Sequence, residues 1–346
     1  MTAKVPGQPT AVVGTANGQW AFASVSTGTG GAVAVMALGR ASPRLVRLVA
    51  LPATVKAAFG MAMTPNGQLL LVAGYTATAV LSVAALEAGS KAAVMGVLAD
   101  AGAGQFEVAV SPDGRYAFVT DENTGGLSVF NLTAALEHGF SAEGVAVGIV
   151  SLAPGPVGIA ISPDGQQLYV TTLGEYGPHG QLWDIDAARA ESGEMGAAVA
   201  RHVAAGCQPV RVAVSPDGRT VWVTALQSNA LLAFSTASVR ADPSKALNAV
   251  VRVGSEPVGL VLVDGGRVAL VASSNRGLVT GTGSKQPQAV SVVNTAAALD
   301  HRPALIGVVS AGLFPRDITF DRATGRVLVA NFDSYSIEEF PPPAVP

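Results

Sequence analysis

The chain is short of charge. Asp, Glu, Lys and Arg make up 13% of its 346 residues, against about 25% in an average soluble domain. It is also short of cysteine: Cys207 stands alone, which excludes a disulfide scaffold. Positive charge is not in excess, since the net charge is −3. A protein that holds nucleic acid by its backbone needs a basic field, so no nucleic-acid partner is expected. The apolar fraction of 49% excludes intrinsic disorder, which goes with high charge and few apolar residues. Length alone points to two domains of about 150 residues each.

Long uncharged stretches raise the question of a membrane span. Val5 to Gly39 contains no Asp, Glu, Lys or Arg, and Gln68 to Leu86 passes a crude window test for a transmembrane helix. That second stretch holds Gly74, Tyr75, Thr76 and Thr78 at its centre, which reads as a turn between two short β runs, and no membrane span is expected. No charged segment followed by an apolar run opens the chain, so no signal peptide is expected within it.

The chain repeats itself. Ser111-Pro112-Asp113-Gly114, Ser162-Pro163-Asp164-Gly165 and Ser215-Pro216-Asp217-Gly218 are identical tetrads, and Thr64-Pro65-Asn66-Gly67 is a variant. Weaker copies stand at Thr15 to Gly18, Val263 to Gly266 and Arg322 to Gly325. The closing glycines recur about every 51 residues, which makes seven units. Proline presets φ for a tight turn, Asp or Asn bonds the nearby backbone, and glycine accepts a positive φ. An apolar run precedes each turn (Val108-Ala109-Val110) and another follows it (Tyr116 to Thr120). Then come a polar loop, a third run (Leu127 to Phe130), an Ala/Leu-rich insertion of one or two helical turns, and a fourth run (Val145 to Leu152). Four short strands in each of seven units specify an all-β, seven-bladed propeller, one domain spanning residues 1–346. The last unit supplies only three strands. Thr2 to Val5 stands where other units carry their fourth, so the N-terminal strand is expected to complete the last blade and close the ring. It is shorter than its counterparts, as though upstream sequence were missing.

With its tetrads followed by Tyr116-Ala117-Phe118-Val119-Thr120, Leu168-Tyr169-Val170-Thr171 and Val327-Leu328-Val329-Ala330-Asn331, the chain resembles the YVTN-repeat proteins. These are bacterial seven-bladed propellers, often exported, within the broader lactonase-like group. The resemblance covers all seven units. It implies the fold and favours a periplasmic or extracellular location, with the cytoplasm as the alternative. The group mixes binding proteins, lactonases and cycloisomerases, so function has to be argued from a site.

In a propeller the turn between strands one and two lies on one face. The lead-ins to strand one and the loops between strands two and three lie on the other, where ligands usually bind. The lead-ins align on Pro9, Phe59 (shifted by one position), Phe106, Pro156, Pro209, Pro257 and Pro315. Just inside stand Gly60, Glu107, Gly158, Arg211, Gly259 and Asp317. Glu107, Arg211 and Asp317 are charges on inner strands of a charge-poor chain. They must be paired or solvated, either as compensating groups in a wet channel or as a ligand-orienting set. Two loops are long. Leu173 to Gly180 carries Glu175, Tyr176 and His179, and Ser273 to Gln288 carries Arg276 and Lys285. Asp121, Glu122, Asn123, Asn331, Asp333 and Tyr335 complete the expected rim. The expected ligand-binding set is Glu107, Arg211, Asp317, Asp121, Glu175, Tyr176, His179, Arg276 and Asn331.

Catalytic signatures are sparse. Of four histidines only His179 falls on this face, and no metal-ligand spacing occurs. No metal or cofactor is expected; calcium on Glu107, Asp121 and Asp317 is the one metal alternative. There is no Gly-x-Ser-x-Gly elbow, Cys207 has no evident base, and the glycine-rich 280–285 segment opens no helix. A lactonase or cycloisomerase needs acid–base groups and a cation for a developing oxyanion, which Glu107, His179 and Arg211 would supply. Lactonase-like relatives often place His beside Arg near the start of an inner strand. The corresponding positions here read Val210-Arg211 and Arg316-Asp317. The expectation is therefore a monomeric binding propeller, taking a small molecule or a protein at the channel mouth. The alternative is a lactonase-like hydrolase or cycloisomerase.

Overall fold

The tetrads fold as their chemistry requires. Ser111 Oγ donates to Asp113 Oδ1 at 2.6 Å and accepts from the Tyr116 N–H at 2.9 Å, while the Arg115 N–H donates to Asp113 Oδ1 at 3.0 Å. Gly114 closes the turn at φ +75°. The same bonds form in the Ser162 and Ser215 tetrads. There the serine hydroxyl and the backbone N–H hold Asp164 and Asp217 below the usual carboxylate range. In the last unit Asp321 takes the serine's place and accepts from the Ala323 N–H and the Thr324 hydroxyl.

The computed structural model describes residues 1–39, 42–99, 104–174, 180–277 and 288–343. Seven four-stranded antiparallel sheets form the propeller. The first blade is Gln8–Gly14, Trp20–Thr27, Gly30–Ala37 and Arg44–Ala50. The third is Gln105–Val110, Tyr116–Asp121, Gly126–Asn131 and Ala146–Ser151. The fifth is Pro209–Val214, Thr220–Ala225, Ala230–Ser235 and Leu247–Arg252. The seventh joins Pro315–Asp321, Arg326–Asn331 and Ser336–Phe340 to Thr2–Lys4. That last pairing sets Thr2 opposite Glu338, Ala3 opposite Ile337 and Lys4 opposite Ser336. The chain's two ends thus close the ring in one sheet.

The helical turns after the third strands carry side-chain caps. Asn131 caps Leu132–His138 and Asn294 caps Thr295–Leu299, each accepting a backbone N–H of the first turn. The core lies between blades: Phe22, Phe118, Phe130, Tyr169, Trp222 and Phe234 are fully buried. Second strands such as Leu69–Ala73 and Val268–Ser273 are buried on both faces. A strand buried on both sides admits no alternating polar residues, which accounts for the low charge. Among the described residues no helix is long and apolar enough to cross a membrane.

The register corrects one alignment. Gln105, not Phe106, occupies the position of the lead-in prolines: it pairs with Asp121 as Pro156 pairs with Thr172 and Pro209 with Ala225. Phe106 falls one place further in, level with Val157, Val210, Val258 and Arg316. An irregularity in register follows in these inner strands, and such bulges re-aim side chains.

Candidate functional site

Inner strands of successive blades touch one another, so their third positions form a ring: Ala11, Gly60, Glu107, Gly158, Arg211, Gly259 and Asp317. Blades three, five and seven carry the charges, and small residues separate them. Glycine is required beside Glu107, because a Cβ on Gly60 would lie 2.0 Å from Glu107 Oε1 and 2.9 Å from its Cα. Space left by the small residues lets the charged side chains meet. Arg211 Nη2 lies 3.0 Å from Glu107 Oε2, with the side chains only 10% and 13% exposed. Arg211 Nη1 is buried without a hydrogen-bond partner among the described residues. Asp317 Oδ2 accepts the Val12 N–H at 3.0 Å, tying the seventh blade to the first.

Arg316 belongs to this cluster and was not singled out by the sequence as a site residue. Its guanidinium stands over the rings of Phe59, Phe106 and Phe332, 5.8, 5.4 and 5.2 Å from their centroids. Arg211 also stands 5.7 Å from the Phe106 centroid. Arg276 stacks 4.5 Å over Phe314 and 5.8 Å from Phe332, and pairs with Asp333 at 3.3 Å. Phe59 and Phe106 stack with centroids 5.3 Å apart, and Phe314 and Phe332 meet at a tilt of 58° with centroids 5.2 Å apart. The mouth is thus a band of three guanidiniums interleaved with four of the chain's 11 phenylalanines. Guanidiniums on aromatic faces gain about 0.5–2 kcal/mol each. Among the described residues no carboxylate comes within ion-pairing distance of Arg316.

The electrostatics follow from burial. Burial pushes the Glu107 carboxyl up to about 7 against the pull of Arg211, and the negative charge of Asp317 adds to the rise. Asp317 is raised by burial, with Arg211 opposing. Glu122 is raised by burial, with Arg316 opposing. Arg316 is lowered to about 10 by burial and by the like charge of Arg211, against Glu107, Asp317 and Glu122. A carboxyl that titrates near neutrality beside an unpaired guanidinium can exchange a proton and hold an anion.

The base of the long loop is fixed by a residue the sequence did not mark. Glu256 is 4% exposed, and its Oε2 accepts the N–H groups of Arg276 and Gly277 at 2.9 and 3.1 Å. Gln288 Oε1 accepts the Phe314 N–H at 2.8 Å, and the Phe314 carbonyl accepts from Phe332. Phe314 holds φ +46°, a costly conformation for a bulky residue, immediately before Pro315 and Arg316.

The structure gathers Glu107, Arg211, Asp317 and Arg276 at the mouth. It places Asp121 and Asn331 elsewhere, both 0% exposed. Asp121 accepts from the Ser128 hydroxyl, and Asn331 Nδ2 donates to Glu338 at 3.0 Å. Both bonds lie inside their own blades, because each residue ends a second strand and faces the third. Glu175, Tyr176, His179 and Lys285 lie outside the described residues. Glu107, Asp121 and Asp317 do not form a calcium site: among the described residues no three His, Cys, Asp or Glu side chains are grouped to hold a metal.

Residues 1–241 match the family described as lactonase, 7-bladed beta-propeller. The chain has no match among curated proteins. Among solved structures it is similar to a chain of Kuenenia stuttgartiensis hydrazine synthase, with a TM-score of 0.75 and 16% identity, over 97% of this chain and 96% of that one. At that identity the likeness concerns the fold alone. Seven four-stranded blades, a ring closed by the N-terminal strand and the family match lead to one conclusion: the chain belongs to the lactonase family of seven-bladed β-propellers.

Proposed function

We propose that the chain is a binding propeller whose channel mouth receives a small organic anion. The observation that carries this reading is Arg316: a guanidinium set among three phenylalanine rings and without an ion-pair partner among the described residues. Its charge is poorly solvated, so a carboxylate beside it recovers energy that water does not supply. The partly exposed rings of Phe59, Phe106 and Phe332 offer an apolar surface to the rest of the ligand. Benzoate combines both features and serves as the probe, with neutral benzamide as control. Calorimetric titration at pH 6 is expected to show saturable binding of benzoate alone, lost in Arg316→Met. A wild-type protein that ignores benzoate contradicts the reading.

A second reading is favoured by Glu107 and by the family. A carboxyl near 7 suits general-base catalysis at neutral pH. Glu107 would take a proton from water as its oxygen adds to a lactone carbonyl, and Arg211 and Arg316 would face the developing oxyanion. Collapse of that intermediate breaks the ring C–O bond, and protonated Glu107 returns its proton to the leaving alkoxide, giving the hydroxy acid. A lactone hydrolysis screen decides it: turnover lost in Arg211→Ala supports catalysis, and none on any lactone leaves binding as the function. Periplasmic or extracellular residence is likewise a proposal, resting on the family resemblance and tested by cell fractionation. The proposed monomeric state is tested by light scattering.

A further inference from the structure

We propose that the channel mouth takes up its anion together with a proton, because Glu107 serves as a built-in counter-anion for Arg211 and becomes protonated when a ligand carboxylate arrives. This rests on the anion-binding reading of Arg316 and adds its regulation. Arg211 and Arg316 stand against the same ring, Phe106, 5.7 and 5.4 Å from its centroid. An anion bound to Arg316 therefore enters the neighbourhood of the Glu107–Arg211 pair.

Among the described residues, the charged groups facing Glu107 are few. Arg211 comes from the fifth blade, Arg316 and Asp317 come from the seventh, and Glu122 lies near Arg316 on the third. At the same level the second and fourth blades contribute Gly60 and Gly158, which carry no charge. Glu107, Asp317, Arg211 and Arg316 sum to zero when all are ionised and Glu122 beside Arg316 adds one negative charge, so an added carboxylate deepens a negative imbalance in a poorly hydrated site. Like charges sharing such a site raise one another's pKa until one takes a proton. Asp317 is committed to the Val12 N–H. Glu107 cannot withdraw toward the second blade, because Gly60 already touches it. Its carboxyl sits at about 7 before any ligand arrives, so it is the group that protonates. The proton comes from solvent, no covalent bond changes, and the Arg211 face that Glu107 occupied becomes available to the ligand. The orphaned Arg211 Nη1 gains a partner in the same event.

The test is calorimetric titration of the wild-type protein with benzoate at pH 6 and pH 8, each in two buffers of different ionisation enthalpy. Benzoate stays ionised throughout, so proton uptake reports on the protein. The expected result is uptake approaching one proton per benzoate at pH 8 and little at pH 6, with Kd about tenfold weaker at pH 8 by linkage. Glu107→Gln is expected to bind with one Kd at both pH values and to take up no proton. Equal wild-type affinity at both pH values without proton uptake overturns the inference and leaves the anion site standing. No benzoate binding at pH 6 overturns both. Proton uptake that persists in Glu107→Gln overturns the assignment to Glu107.

Discussion

Glu107 and Arg211 meet at 3.0 Å across an entire intervening blade. The fourth blade makes this possible by presenting Gly158, where a Cβ would lie 2.2 Å from the Val210 carbonyl oxygen. The pair joins the third and fifth blades at the channel mouth. Its burial sets the pH behaviour of the protein as well as its chemistry.

Stability is expected to fall as pH rises toward neutrality. The folded-state pKa of Glu107 is raised from 4.5 to about 7, so between those values the native chain holds a proton that the unfolded chain has released. Protonation linkage then costs stability steadily as pH rises through this window, and the loss is complete above about 7. Glu107→Gln lacks this component. Thermal unfolding of both proteins from pH 5 to pH 8 should show the variant gaining on wild type up to about pH 7 and holding its gain beyond. Parallel profiles would contradict the assignment.

Gly60→Ala tests the packing behind Glu107. The added methyl collides with the Glu107 carboxylate and, at 2.9 Å, with its Cα, so side-chain rotation alone does not relieve it. Overpacking of this kind costs about 1–3 kcal/mol. The expected result is a lower denaturant midpoint, because the carboxylate is displaced from Arg211.

Closure of the ring by the N-terminal strand is tested by deleting residues 1–7. The deletion removes the pairing of Thr2–Lys4 with Ser336–Phe340, the buried Val5 side chain, and the Val5 N–H bond to the Tyr335 carbonyl. The melting temperature should drop by several degrees. The bared edge should also promote aggregation. An unchanged melting temperature would show that the ring is held without this strand.

The repeat turn is tested at Gly165, which holds φ +74° and where an added Cβ would lie 3.0 Å from the Pro112 ring of the preceding tetrad. Gly165→Ala is expected to cost about 1–2 kcal/mol by chemical denaturation, without effect on benzoate affinity, since the turn lies on the opposite face.

The fold was legible because each unit repeats the same punctuation, and the third positions of the inner strands showed Glu107, Arg211 and Asp317 set apart by small residues. The site was less legible for reasons visible in single residues. Gln105 fills a proline's place, which shifted Phe106 by one position and hid its alignment with Arg316. Arg316 stands where other blades carry Val157, Val210 and Val258; that departure from the repeat was the available signal. Asp121 and Asn331 end their strands where Thr172 and Ser273 end theirs. A polar strand end bonded within its blade reads in sequence like a residue on an open rim. Glu256 gave no signal, since its role depends on a left-handed backbone, φ +53°, that turns its carboxylate under the loop.

The most direct test of the account is benzoate titration of wild type and Arg316→Met at pH 6. Wild type is expected to bind saturably and the variant with an affinity at least about tenfold lower, the scale of one lost charged hydrogen bond. Equal affinity in the two proteins would contradict it, because the ligand would then owe nothing to the guanidinium among the phenylalanines.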